Sequence, residues 1–239
     1  GRSAKSLIEK ARKTIAKQLN VTAAEIIFTS GGTEADNLAL NSAVRDLGVR
    51  RIITSEIEHH AVLYSVNQLK DCFDIDVEYV NLTAEGEVDL KDLENRLKNS
   101  DVKTLVSLMH VNNEVGNKLD IKKVALLCKQ NNALFHSDTV QSIGHYELDL
   151  KEIPVDFTAV SAHKFHGPKG VGFAFIRKNS GLKPLIFGGE QERGYRAGTE
   201  GLHNIVGLEE AFKLAYQNLE EEKTYTMALK SHFIESLKK

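Results

Sequence analysis

At 239 residues, 41% hydrophobic and 27% charged, the chain is long enough to bury one large core and has the balance of an ordinary globular domain, 1–239. A formal net charge of −2 gives no basic excess for nucleic acid, and no apolar run approaches the length of a membrane span, so neither partner is implied. The two cysteines, Cys72 and Cys128, have no CxxC and no histidine at ligand spacing, which argues against a structural metal and for a reducing cytoplasm. There is no signal-peptide pattern, and Gly1 in place of Met reads as an excised piece.

Leu7, Ile8, Ala11, Ile15 and Leu19 fall at helical spacing with lysines between, predicting an amphipathic helix over 3–19. Glu25 to Thr29 is a short apolar strand, followed by the turn Ser30-Gly-Gly-Thr-Glu34 and a helix from Ala35. The alternation continues with strand 51–54, helix 60–70, strand 77–80, helix 90–97, strand 104–109, helix 121–130 and strand 133–136. The β-branched and apolar runs 156–160 and 170–176 read as two further strands, with Ser161-Ala-His-Lys-Phe-His-Gly-Pro-Lys-Gly170 as the turn between them. After a glycine-rich loop over 182–199, residues 202–239 carry one long helical pattern without a stop signal. This order predicts an α/β fold, a three-layer αβα arrangement around a mostly parallel seven-stranded sheet.

Ligands of open α/β sheets bind beyond the carboxyl ends of the strands, and the polar residues predicted there form an unusual set. Gly31, Gly32 and Thr33 could bring backbone N–H groups and a helix start to a phosphate, although a tight turn with Ser30 or Thr33 as helix cap fits equally well. One imidazole of Glu58-His59-His60 could lie on an aromatic ligand, or simply start a helix. The amides of Asn112-Asn113-Glu114 could bind a carboxylate or hydroxyl, or form a turn. Asp138, with Gln141 three residues on, places a carboxylate on the crevice floor, or caps the next helix. Lys164, flanked by Ser161 and His163, is either a reactive amine held on a rigid sheet or a solvated loop lysine. Pyridoxal phosphate needs a lysine for a Schiff base, an acid to keep its pyridine nitrogen protonated, and donors for its phosphate. A nicotinamide enzyme has no need of the lysine, and a P-loop enzyme wants it inside the glycine loop.

Six stretches in this order resemble the cysteine desulfurases, the class V branch of the fold type I pyridoxal phosphate enzymes. They are Thr29-Ser-Gly-Gly-Thr-Glu-Ala-Asp-Asn37, Glu58-His59 with Ala61-Val62, Met109-His-Val-Asn-Asn-Glu-Val-Gly116, Ser137-Asp-Thr-Val-Gln141, the 161–170 turn, and Gln191-Glu-Arg-Gly-Tyr-Arg-Ala-Gly-Thr199. By this resemblance Lys164 attaches the cofactor, His59 stacks on the pyridine ring, Asp138 pairs with the ring nitrogen and Gln141 reaches the ring hydroxyl. Gly32, Thr33, Ser161 and His163 hold the phosphate, Asn113 lies near the substrate carboxylate and the ring hydroxyl, and Thr199 reaches the phosphate site of the partner in a homodimer. The implied substrate is L-cysteine, with the sulfur passed to an acceptor or scaffold protein in iron–sulfur cluster and thio-cofactor assembly.

Two departures from the family pattern stand beside the likeness. The family's N-terminal Ala-Thr-Thr segment has no match, and neither do the sulfur-accepting cysteine and substrate-binding arginine of its C-terminal small domain. Cys72 and Cys128 fall in stretches that resemble scaffold. The chain thus resembles the large cofactor-binding domain without those parts, expected to bind cofactor but not to release sulfur. A selenocysteine lyase or class V aminotransferase would share Lys164, Asp138 and His59, and a non-catalytic cofactor-binding or scaffold domain is the alternative of another class.

Overall fold

Short β-branched runs alternate with longer amphipathic ones, and in the computed structural model, which describes residues 1–98 and 101–238, each predicted strand forms within two residues of its expected bounds. The strands are β1 Ile26–Thr29, β2 Arg51–Thr54, β3 Asp76–Tyr79, β4 Thr104–Ser107, β5 Leu134–Asp138, β6 Phe157–Ser161 and β7 Gly172–Ile176. They make one sheet in the order β1-β7-β6-β5-β4-β2-β3. Only β7 runs against the others, pairing antiparallel with β1 and β6. The carboxyl ends of β1, β5 and β6 therefore open on the same edge.

The helices are α1 Arg2–Gln18, α2 Gly32–Leu47, α3 His60–Cys72, α4 Leu90–Leu97, α5 Ile121–Gln130, α6 Leu202–Gln217 and α7 Leu219–Leu237. Apolar side chains of α1, α4, α5 and α6 cover one face of the sheet, and those of α2 and α3 cover the other. Because both faces are covered, β1, β4, β6 and β7 are buried throughout, as a mostly parallel sheet requires. Among the described residues no helix is long and apolar enough to cross a membrane.

Two expectations change. Helix α2 starts at Gly32, three residues early, with Gly31 in the N-cap position and no side-chain cap, so neither Ser30 nor Thr33 caps it. The long C-terminal pattern breaks at Asn218 (φ −101°, ψ 4°), which ends α6 and precedes α7, an ordinary place for a residue whose amide competes with helical hydrogen bonds. Lys239 lies outside the described residues.

A buried ion pair fastens the 182–199 loop to the sheet. Arg12, on the side of α1 that faces the core and only 2% exposed, donates to Glu192 Oε2 and Oε1 at 2.6 and 2.8 Å and to the Ile26 carbonyl at 2.6 Å. The Phe28 N–H also donates to Glu192, at 2.8 Å. Glu192 and Arg193 adopt left-handed backbone angles, φ 46° and 57°, a conformation that costs energy for residues with a Cβ and has to be held by contacts of this kind. Arg196 pairs with Glu34 at the start of α2, and Glu34 also accepts from the Ser30 N–H. Glu192→Ala would leave the buried Arg12 guanidinium with the Glu9 carboxylate at 3.0 Å as its remaining acidic partner and two of its N–H groups without their acceptor. It is expected to cost about 3–5 kcal/mol in urea unfolding, and a loss under about 1 kcal/mol, the scale of an exposed pair, would contradict this account.

Candidate functional site

The first turn of α2, the turn after β6, the end of β5 and the start of α3 enclose a cavity of about 170 Å³ at the carboxyl edge of the sheet. Every residue to which the family resemblance assigns a role lines it except Thr199, while Gly31, Glu58, His60, Asn112 and Glu114 do not. Thr199 instead borders a separate depression together with Ser30, Arg196 and Asn204.

One end of the cavity is built for an anion. Helix α2 begins at Gly32, and its first N–H groups have no intrahelical acceptor, so they present partial positive charge. Gly32 is required there, since a Cβ would come within 2.5 Å of Val140 Cγ2. Beside it Ser161 Oγ lies 2.8 Å from His163 Nδ1. Burial, with Lys164 and Lys169 nearby, holds the His163 pKa below its ordinary value, which favours the neutral imidazole.

The floor is acidic. Asp138 closes β5, and its Oδ1 accepts the Val140 N–H at 2.8 Å. The helix expected after Asp138 does not form, residues 140–145 being turns, so the side chain holds its own turn rather than capping a helix while it lines the cavity. Burial, and next the neighbouring Asp36, push the Asp138 pKa up to about 7. Glu58, just before α3 and outside the cavity lining, accepts from Ser55 Oγ at 2.8 Å and the Met109 N–H at 3.0 Å, and burial pushes its pKa up to about 8.

On the walls, His59 is the N-cap of α3, and its Nδ1 accepts the Ala61 N–H at 3.1 Å. That bond fixes the ring, and in the neutral form it leaves the proton on Nε2. The amide pair divides its roles. Asn112 is the turn former, its Oδ1 accepting from the N–H groups of Glu114 and Val115, while Asn113 lines the cavity. Lys164 stands exposed on the 3-10 turn Ala162–Phe165, and the carbonyl of Lys164 accepts from His145 Nε2 at 2.9 Å. An amine, an acid, a ring and an anion cup thus face one space, which suits a flat phosphorylated heterocycle.

Asp36, Met109 and Val140 also line the cavity and were not singled out from the sequence. Asp36 stands four residues after Gly32, one helical turn, so spacing alone could have placed it on the same face. Neither cysteine lines the cavity. Cys72 is exposed at the end of α3, and Cys128 is buried in α5, where burial pushes its thiol pKa up.

These shifts make stability depend on pH. Glu58 and Asp138 bind protons more tightly in the folded chain than in the unfolded one, where carboxyls titrate near pH ~4. Their contribution is present at low pH and is lost as pH rises toward about 8. His110 and His136, both lowered to about 4 by burial, oppose this only below their unfolded value of ~6.5. The thermal midpoint is therefore expected to fall between about pH 6.5 and 8.5, less steeply in Glu58→Gln. A midpoint that rises across that window would contradict these assignments.

Comparison with known proteins agrees with this architecture. The model of the aminotransferase class-V family matches residues 1–239. A putative cysteine desulfurase IscS 1 of Bacillus subtilis is 43% identical over the whole chain and 62% of its own length, and the cysteine desulfurase IscS of Dictyoglomus turgidum is 40% identical over the whole chain and 60% of its length. A solved NifS-like protein superposes on 99% of the chain and 65% of its own, with a TM-score of 0.94 and 40% identity. The chain spans 58–62% of the length of the curated relatives it matches. Its seven-stranded, mostly parallel sheet with helices on both sides is the fold type I large domain of the NifS-like proteins. A match along its entire length, on the same sheet, places this chain in the aminotransferase class-V family.

Proposed function

We propose that the chain is the cofactor-binding part of a pyridoxal-phosphate-dependent cysteine desulfurase, which converts L-cysteine to L-alanine and hands on the sulfur as a persulfide for iron–sulfur cluster and thio-cofactor assembly. The observation that carries this reading is the meeting of Lys164, a buried acid at Asp138 and the open first turn of α2 in one cavity, on a chain similar throughout to cysteine desulfurases. When bound, pyridoxal phosphate supplies an electron sink for charge at the substrate α-carbon.

The residues present suit that group. The Lys164 amine is the point of covalent attachment. Gly32 and Thr33 at the α2 start, with Ser161 and neutral His163, hold the phosphate, as expected of N–H groups without intrahelical partners. Asp138 faces the pyridine nitrogen; one carboxyl oxygen is held by the Val140 N–H, and the other accepts no hydrogen bond among the described residues. His59, oriented by its cap to α3, lies on the ring, while Gln141 and Asn113 serve the ring hydroxyl and substrate carboxylate. Thr199 lies outside its own chain's cavity and reaches the phosphate of a partner in a homodimer. Sulfur transfer forms an S–S bond to an acceptor thiolate as the substrate C–S bond breaks. Since neither Cys72 nor Cys128 lines the cavity, neither is that thiolate.

Borohydride reduction with pyridoxal phosphate, followed by peptide mass mapping, is expected to place a pyridoxyl group on Lys164; a label on Lys169 instead, or on no lysine, overturns the assignment. Asp138→Ala is expected to slow exchange of the alanine α-proton by at least about 100-fold, the scale of one lost electrostatic partner in a water-poor site. Exchange at the parent rate would exclude that role for Asp138. Given cysteine and a reductant, the 239-residue chain is expected to yield no cofactor-dependent sulfide above background. Sulfide together with stoichiometric alanine would make Cys72 or Cys128 the acceptor, and Cys→Ser at each position would identify which.

A further inference from the structure

Asn112 does not line the cavity, yet its amide reaches the supports of three residues that do. It is 5% exposed and lies where β2 and β4 have parted, beyond their last register pair, Ile53 with Val106. Two side chains take over from the strand ladder there. The Met109 N–H donates to Glu58 Oε1 at 3.0 Å, and Asn112 Nδ2 donates to the Ile57 carbonyl at 2.7 Å. Among the described residues these are the only hydrogen bonds that join 55–59 to 108–116. Asn112 Nδ2 also lies 3.3 Å from Met109 Sδ, and Oδ1 accepts the N–H groups of Glu114 and Val115 at 2.9 and 2.8 Å. A side-chain amide has two hydrogens to give and two lone pairs to receive, so all four positions are taken. The turn after β4 needs only the oxygen, which an aspartate would supply as well; the two hydrogens serve something else. They lead to the cavity wall: Met109 carries the sulfur, His59 stands two residues after Ile57, and Asn113 follows Asn112 itself.

We propose that Asn112 is a positioning residue: by bridging the turn after β4 to the segment before α3, it holds His59, Met109 and Asn113 as one wall of the cavity. Neither His59 nor Asn113 has such an anchor of its own. The His59 ring is tied to Ala61 inside its own helix, and the Asn113 side chain donates only to exposed Glu114 Oε1, at 2.7 Å. Their relation to each other is therefore set through Ile57 and Asn112, with Glu58 and the Met109 N–H as the second fastening. The use of this wall rests on the cofactor reading above, in which His59 lies on the ring while Asn113 serves the ring hydroxyl and the substrate carboxylate. Both contacts have to meet one flat ligand at the same time, and a misplacement of about 1 Å in such a site costs on the order of 100-fold in rate. The bridge itself belongs to the cofactor-free chain, where it can be tested alone.

The test is Asn112→Asp, which keeps an oxygen for the Glu114 and Val115 N–H groups and removes the hydrogen given to Ile57. In the cofactor-free chain, amide hydrogen exchange is followed at Ala61, whose N–H donates to the His59 ring, relative to the amides within α6. The Ala61 amide is expected to exchange at least about 10-fold faster in Asn112→Asp, as a locally loosened segment does. Asn117→Ala is the comparison, since it removes a bond of the same loop, to the Glu85 carbonyl at 2.9 Å, from a residue outside the cavity lining, and is expected to leave the Ala61 rate unchanged. With pyridoxal phosphate added, visible circular dichroism per unit absorbance reports how firmly the ring is held, and is expected to fall by about half or more in Asn112→Asp but not in Asn117→Ala. If Asn112→Asp does not fold, Asn112→Ser keeps an acceptor for the turn, is too short to reach Ile57 and carries the same expectations. An Ala61 rate that is unchanged, that rises only in step with α6, or that rises equally in Asn117→Ala overturns the proposal, as does unchanged dichroism in an Asn112 variant that binds the cofactor. A parent chain that shows no displaced cofactor band overturns the cofactor reading instead, and the exchange rates then decide on the bridge alone.

Discussion

Burying a carboxyl group at the carboxyl end of β5 is the constraint on which the rest of the site depends. Asp138 is 4% exposed and gains one hydrogen bond, from its own turn, in exchange for its hydration. A lone ionised carboxylate in such a place is costly, and the ordinary response is to stay protonated. Asp36 lies near enough to reinforce that response. A floor of this kind is poor at holding its own negative charge and good at receiving a ring nitrogen that accepts a proton.

The sheet order explains how one short strand end can command so much chemistry. In β1-β7-β6-β5, with only β7 reversed, the chain leaves β1 into α2, leaves β5 beneath Asp138 and leaves β6 into the Lys164 turn, all at the same edge. Close approach between these connections is possible because glycine occupies the tight points. A Cβ on Gly172 would meet the Val160 carbonyl oxygen and come within 2.9 Å of Gly31 Cα. The Arg12–Glu192 pair supports this arrangement from the side, holding the loop that carries Arg196 and Thr199 against β1 and the start of α2.

Most of this frame was legible in the sequence because it follows from periodicity. The strand Arg51–Thr54 and the helices Leu90–Leu97 and Ile121–Gln130 have the bounds that their apolar patterns predict, with Asp89 and Asp120 capping those two helices. The cavity residues were legible because each lies at the carboxyl end of a strand or within six residues after it, Asp138 and Ser161 closing β5 and β6. The unread features depend on partners distant in sequence. Arg12 looks like one more cation on an amphipathic helix until Glu192, 180 residues away, meets it. Asp36 looks like a solvated residue at a helix start until α2 turns it toward His136. The early start of α2 at Gly32 has a different cause, since glycine disfavours helix by about 1 kcal/mol and only the packing against Val140 shows its place.

The account stands on Lys164 and Asp138 serving a single bound ring. The most direct measurement is the visible absorption spectrum of the chain titrated with pyridoxal phosphate, compared with that of Lys164→Ala. A band displaced from that of the free cofactor, saturating at one equivalent and absent in Lys164→Ala, is the predicted result. A spectrum equal to that of free pyridoxal phosphate, or a displaced band that persists unchanged in Lys164→Ala, would contradict it.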